Sequence, residues 1–491
     1  PVSGAAWKVV DASNQTLLSQ VVPLDQRTKS LPLLYLNKFN LTDAQIAQAQ
    51  ADLANKATHE LIFVMALPPV GMATATATAL PKDQRTVLKL DELAPVAGLG
   101  AVEGPDPPLI VESDTYKLAF DATTGLLSTI TNKASGISTD LAITWGWYNA
   151  SVGGCTDFSQ IPKELWDLDG PCSDQISGAY IMRTNSSTVF YPGAPRTPTV
   201  EVVRGPLVTE VRQTFSEWAS HVIRLYEGRA YIELEWTAGP IPIDTPWMPP
   251  VAHHDLKPLP NNWGKEVIVK YQSALASNGT WYTDSNGKEM VQRKYNLRGP
   301  SYPKPYRISE PIAGNYYPVN AMMTLDDGAN ELTILTDVSQ GGASLADGEL
   351  EFLVHRRLQD DDHRGVGEPL NETMCQCNDI GAGIGGTGAH GHEGDGGCLC
   401  EGLTIRGRHW IVFDTIERSH EIRRVLSEQL NFPPLLALAP PVVRGTTFSA
   451  VSAALPPNVK LVTLTSNYAS FNDGQWLLRL SHLYEAGEHP T

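Results

Sequence analysis

The stretch SQGGASLADGELEFLVHRRLQDDDHRGVGEPL, residues 339–370, governs how the rest of the chain is read. Gly341, Gly342 and Gly348 give the backbone freedom for tight turns, and Leu350 to Val354 then read as a short apolar strand. Directly behind it stand His355, Arg356, Arg357, Asp360, Asp361, Asp362, His363 and Arg364, followed by Gly365 and Gly367. Burying an unpaired ion is costly, so charges this crowded must pair, reach solvent or face a polar ligand. One reading is a solvated turn after a strand. The other is the polar wall of a ligand site, carried on a loop that a sheet holds in place.

Outward from this stretch, the chain is mostly short strands separated by turn residues. Leu109 to Ser113, Tyr116 to Asp121, Leu126 to Asn132, Val200 to Val203, Leu207 to Phe215, His221 to Leu225 and Ala230 to Thr237 follow one another as in a large β-sandwich. Ahead of them, Ala6 to Val10, Leu17 to Val22, Glu60 to Leu67 and the alternating run 72–80 also read as strands, and 43–57 reads as a helix. The Pro- and Gly-rich residues 93–108 and the run 454–458 mark linkers. The predicted fold class is therefore all-β, with tandem β-sandwich domains dominated by one large supersandwich. Its expected divisions are a small β-sandwich over 1–100, the supersandwich over 107–435, and the start of a further β domain over 436–491. Flexible insertions are expected at 244–263 and 380–397.

Composition narrows the function. The 491 residues carry a net charge of -17, which argues against a nucleic-acid partner, because phosphate binding needs a basic face. No apolar run is long enough for a membrane-spanning helix. The start has no basic segment followed by an apolar one, so no signal peptide is visible. Yet six N-x-S/T sequons, at Asn14, Asn40, Asn149, Asn185, Asn278 and Asn371, point to a secretory lumen, and to residue 1 not being the start of the gene product. In such a compartment the six cysteines are expected as disulfides. Cys155 with Cys172 closes a short loop, while the pairing within Cys375, Cys377, Cys398 and Cys400 stays open.

The run HRRLQDDDHRGVGEPLNET, 355–373, resembles the C-terminal region of family 38 glycoside hydrolases, the lysosomal and vacuolar type of alpha-mannosidase. Further stretches resemble it in the same order: DQISGAYIM (174–182), EWTAGPIPI (235–243), GKEVIVKY (264–271), PIAGNYYPVNAMMTL (311–325), CEGLTIRGRHW (400–410) and LLRLSHLYEAGE (477–488). The resemblance implies an enzyme that cleaves terminal alpha-linked mannose from N-glycans with retention, in a lysosome, a vacuole or outside the cell. It also implies that the zinc ion and the catalytic aspartates belong to an N-terminal α/β domain or subunit, whose motifs match nothing here. This chain alone is then expected to be inactive, with that domain and mannose-containing glycans as partners and a homo-oligomer left open. Within the matched motifs, the resemblance places Arg364 and Tyr180 near the sugar, with Asp361 as a candidate orienter of the arginine. Arg offers a rigid fork of donors for diol oxygens, and Tyr a flat face with one hydroxyl.

Other candidates are weaker on chemical grounds. A retaining glycosidase needs two carboxyl groups about 5 Å apart, and Asp360, Asp361 and Asp362, adjacent on an extended backbone, point to alternating sides. A zinc site among the four clustered cysteines with His390 and His392 has unusually tight ligand spacing and a glycine-rich interval. His253, His254 and Asp255 lie in a Pro-rich stretch better read as surface. Trp145, Trp147 and Tyr148 could line a sugar platform, although such stripes more often pack a core. Two readings outside catalysis remain: a secreted glycan-binding or structural glycoprotein, and a metal-binding module built on the Cys/His cluster.

Overall fold

A computed structural model describes residues 7–31, 58–80, 108–155, 172–192, 197–243, 263–298, 310–377, 398–439, 446–466, 468–469 and 474–489. Two large antiparallel sheets dominate. One has eight strands in the order Tyr317–Val319, Gln340–Ala343, Glu349–Arg357, Lys265–Ser273, Ser138–Asn149, Leu127–Asn132, Tyr116–Phe120 and Leu109–Glu112. The other has nine and includes Val208–Ser216, Ala219–Tyr226, Ile232–Ala238, Ile405–Thr415 and Asn330–Thr336. Alternation decides which side of each strand is buried. Tyr116, Leu118 and Phe120, and likewise Leu141, Ile143 and Trp145, face inward and meet Val211, Ile223, Leu234, Trp236, Ile334 and Phe413 of the opposite sheet in one core. This is the expected sandwich.

The outer faces are covered too, and here the chain buries charge. On the nine-stranded sheet Glu210, Arg212, Arg224 and Glu233 are buried and mutually paired, with Arg224 Nε 2.6 Å from Glu210 Oε1 and Nη1 3.1 Å from Glu233 Oε1. N-terminal residues dock on that sheet. The Gln20 side chain donates to Val208 O and accepts from the backbone N–H groups of Leu207 and Val208. The strand Thr447–Ser449 pairs with Gly71–Ala73, so segments from opposite ends of the sequence share one ladder.

The sequence reading held no helix after residue 57, whereas Ile416–Asn431 is an α-helix capped by Thr415, whose hydroxyl accepts from Arg418 N. Leu426 and Leu430 pack it on Trp410, Val412 and Leu335, across the nine-stranded sheet from the main core. Its buried face also contains Arg423 and Arg424, so its sequence lacks the plain apolar stripe that advertises a helix. The helix expected at 43–57 lies outside the described residues, as do almost all of 244–263 and the whole of 380–397.

The outer face of the eight-stranded sheet positions the candidate site. Tyr148, Ile268 and Ile312 form a small core there with Met182, Val189, Tyr316 and Leu353, which fastens the segments around 182–189 and 312–316 to the sheet. Glu351 is fully buried on this face and accepts from Tyr148 Oη at 3.0 Å and Tyr316 Oη at 2.5 Å, with Lys270 Nζ 3.1 Å away. Burial pushes the Glu351 carboxyl up, against the opposing pull of Lys270.

Candidate functional site

The strand Glu349–Arg357 carries an irregularity that aims the site. Ile268 pairs with Leu353 but Val267 pairs with His355, so Val354 is an extra residue with no partner across the ladder. A bulge of this kind shifts the alternation by one. Glu351 and Leu353 face outward, and after the bulge it is Arg356, not His355, that faces outward again. His355 turns in and meets Leu403 O at 3.1 Å.

Arg356 grips the fully buried Glu266, with Nε 2.6 Å from Oε2 and Nη2 2.9 Å from Oε1. Burial works against the Arg356 cation, yet Glu266 outweighs it and holds the guanidinium above its usual range. The same guanidinium donates to Ile181 O at 3.0 Å, while Ser177 Oγ donates to Glu266 Oε1 at 2.6 Å. An ion pair between the half-buried Arg356 and the buried Glu266 thus anchors the loop 177–181 to the sheet.

Asp362 binds that loop to the one following the strand. Its Oδ2 accepts from Tyr180 N at 2.6 Å and Ile181 N at 2.9 Å, and its Oδ1 from Arg364 N at 3.0 Å. Only 2% of Asp362 is exposed. Burial raises its carboxyl, but the three backbone donors and Arg356 more than compensate and hold it below the usual carboxylate range. Contact is close enough to require glycine at 178, where a Cβ would fall 2.5 Å from Asp362 N and 2.7 Å from its Cγ.

Tyr180 and Arg364 are thereby fixed at neighbouring points of two crosslinked loops. Tyr180 is 65% exposed, and a Cβ built on Gly365, the residue after Arg364, would lie 3.9 Å from its Cε2. Arg364 is exposed, and Gln175 Oε1 accepts from its Nε at 3.0 Å and its Nη2 at 2.5 Å. Asp361 Oδ2 accepts from His363 N at 3.1 Å and lies 3.4 Å from His363 Nδ1. Gln175 is not singled out by the sequence, and Asp362 is named there only within the charged run and the aspartate triplet. The signal available was their place inside the two motifs that name Tyr180 and Arg364.

The arrangement presents an aromatic face beside a guanidinium fork, chemistry suited to a polyol. The Asp362 oxygens are taken by backbone donors. Among the described residues no three His, Cys, Asp or Glu side chains come together in a way that could hold a metal. His253, His254, Asp255, His390 and His392 lie outside the described residues. Trp145 is core, donating Nε1 to His221 Nδ1, while Trp147 stacks on Phe190 and meets Trp218 edge-on. Tyr148 is buried against Glu351. The aromatic stripe is therefore packing rather than a platform.

Residues 111–364, just over half of the chain, match the Glycosyl hydrolases family 38 C-terminal domain. The chain is 36% identical to human lysosomal alpha-mannosidase over 437 residues, 87% of this chain and 36% of that protein. It is 31% identical to the alpha-mannosidase of Canavalia ensiformis over 497 residues, 99% of this chain and 43% of that one. The crystal structure of an alpha-mannosidase from Enterococcus faecalis V583 aligns with 94% of this chain and 43% of its own, at 11% identity and a TM-score of 0.44. The chain thus spans well under half the length of these relatives. Tyr180, Asp362 and Arg364 all fall within the matched residues, and the chain belongs to glycoside hydrolase family 38.

Proposed function

We propose that this chain is the β-rich part of a retaining alpha-mannosidase that removes terminal alpha-linked mannose from N-glycans. The carrying observation is that Tyr180 and Arg364, both exposed, are set on two loops that Asp362 ties together and the Arg356–Glu266 pair anchors. Arg364 donates to sugar hydroxyls, and the Tyr180 face packs against the ring. Asp361, against His363, shapes the same loop. Zinc, the nucleophile and the acid are supplied by an N-terminal catalytic domain or subunit, with which this chain forms the complete site.

The protein works in a lysosome, a vacuole or the extracellular space, as the sequons and the names of its relatives both favour. Backbone register supports disulfides in that setting. In the backbone register Cys155 pairs with Cys172 on one ladder, and Cys375 pairs with Cys400 and Cys377 with Cys398 on another. Peptide mapping under non-reducing conditions is expected to recover these three pairs, and free thiols or crossed pairs would contradict the register.

The test of function is to isolate the native gene product, map its peptides by mass spectrometry and assay p-nitrophenyl alpha-mannoside hydrolysis with and without a chelator. Upstream peptides co-isolating with chelator-sensitive activity are expected. A glycosylated, inactive species made of this chain alone would overturn the reading.

A further inference from the structure

We infer that Gln175 is the positioning residue that presents Arg364 to the sugar, an inference that rests on the reading of Arg364 given above. An arginine on an exposed loop has many rotamers, and ordering it on binding costs affinity. Here Gln175 Oε1 takes the Nε and Nη2 edge of the guanidinium, at 3.0 and 2.5 Å, and fixes the plane of the fork before any ligand arrives.

Gln175 is itself held firmly enough to do this. Its Nε2 donates to Ile176 O at 2.8 Å and to Asp362 O at 3.1 Å. These two carbonyls settle the orientation of the amide, since a flip would set its oxygen against them and its NH2 against the guanidinium. The Gln175 carbonyl accepts from Arg183 Nη1 at 2.9 Å. Arg183 is 1% exposed and is held by Glu310 at 2.9 Å and Ser151 Oγ at 3.1 Å. A chain of polar contacts thus runs from a buried arginine through Gln175 to the exposed one. A neutral amide suits the task, because it orients the guanidinium without offsetting the charge that a sugar hydroxyl meets.

The test compares Gln175→Met, Gln175→Glu, Arg364→Ala and the Gln175→Met/Arg364→Ala double variant in the complete enzyme, with kcat, KM and Tm measured for each. Met keeps the volume but removes both the acceptor for Arg364 and the donor to Ile176 O and Asp362 O; Glu keeps the acceptor and loses that donor. Gln175→Met is expected to lower kcat/KM about tenfold, with a modest fall in Tm from the two carbonyls left without their donor. Gln175→Glu is expected to recover part of that loss, and Gln175→Met is expected to add nothing once Arg364 is gone. Wild-type kcat/KM in Gln175→Met, or an equal loss with and without Arg364, would overturn the inference. Should Gln175→Met fold poorly, Gln175→Ala takes its place in the same cycle: a loss that vanishes once Arg364 is gone supports positioning, and an equal loss with and without Arg364 contradicts it. Full activity in Arg364→Ala would instead overturn the underlying reading of the site.

Discussion

Asp362 is where a run of three aspartates becomes specific. Its carboxylate spans three backbone N–H groups from two loops, and removing it leaves those donors without their acceptor. Asp362→Ala is expected to cost about 1–3 kcal/mol of stability and to lower kcat/KM of the complete enzyme, read by thermal melting and steady-state assay. Gly178→Ala, which forces a Cβ against Asp362, is expected to act in the same direction through the loop. Arg364 and Tyr180 could be named from motif resemblance, but the division of labour among Asp360, Asp361 and Asp362 could not. It depends on which carboxylate meets the 177–181 loop, a contact between residues about 180 positions apart in sequence. The sequons separate on similar grounds. Asn14 and Asn278 are exposed at positive-φ turns, whereas Asn149 ends a sheet strand and holds Trp147 Nε1, and Asn371 accepts from Arg357 Nε. Glycopeptide mapping is expected to find Asn14 and Asn278 more fully occupied than Asn149 and Asn371.

Strands were legible because their alternation matches the pleat, as in Tyr116, Leu118 and Phe120. The bulge at Val354 was not, since one extra residue in a strand leaves no mark in the sequence, yet it is what turns Arg356 toward Glu266. The helix Ile416–Asn431 was missed for a related reason, its inner face being part arginine. Arg424 Nε and Nη2 lie 2.9 and 2.8 Å from the two Glu488 oxygens, Arg423 also bonds Glu488, and Arg423 Nη1 is 2.9 Å from Glu331 Oε2. Burial alone would raise the Glu488 carboxyl, but the bonds from Arg424 and Arg423 lower it from 4.5 to about 2. A depressed carboxylate stabilises the fold above its unfolded pKa and loses that contribution as pH falls through the folded one. Glu488→Gln is therefore expected to melt below wild type near neutral pH, with the difference shrinking as pH falls from about 4.5 toward about 2. A difference independent of pH across that window would show that the pair does not hold the helix as described.

At the scale of the whole molecule, the two-sheet sandwich is the frame, and the outer face of its eight-stranded sheet carries the two candidate loops. The all-β class and the large sandwich were visible in the spacing of short strands and turns. Long-range closure was not, as the pairing of Thr447–Ser449 with Gly71–Ala73 illustrates, because no local pattern specifies a partner nearly four hundred residues away. The site shares this property, since its two loops meet only because Ser138–Asn149, Lys265–Ser273 and Glu349–Arg357 are neighbours in one sheet. The most direct measurement of the central claim is kcat/KM of the complete enzyme carrying Arg364→Ala, with Tm as the control for folding. A fall of about a hundredfold at unchanged Tm is expected if this chain supplies one wall of the sugar site. Wild-type kcat/KM at the same Tm would contradict it and leave the β-rich region as scaffold alone.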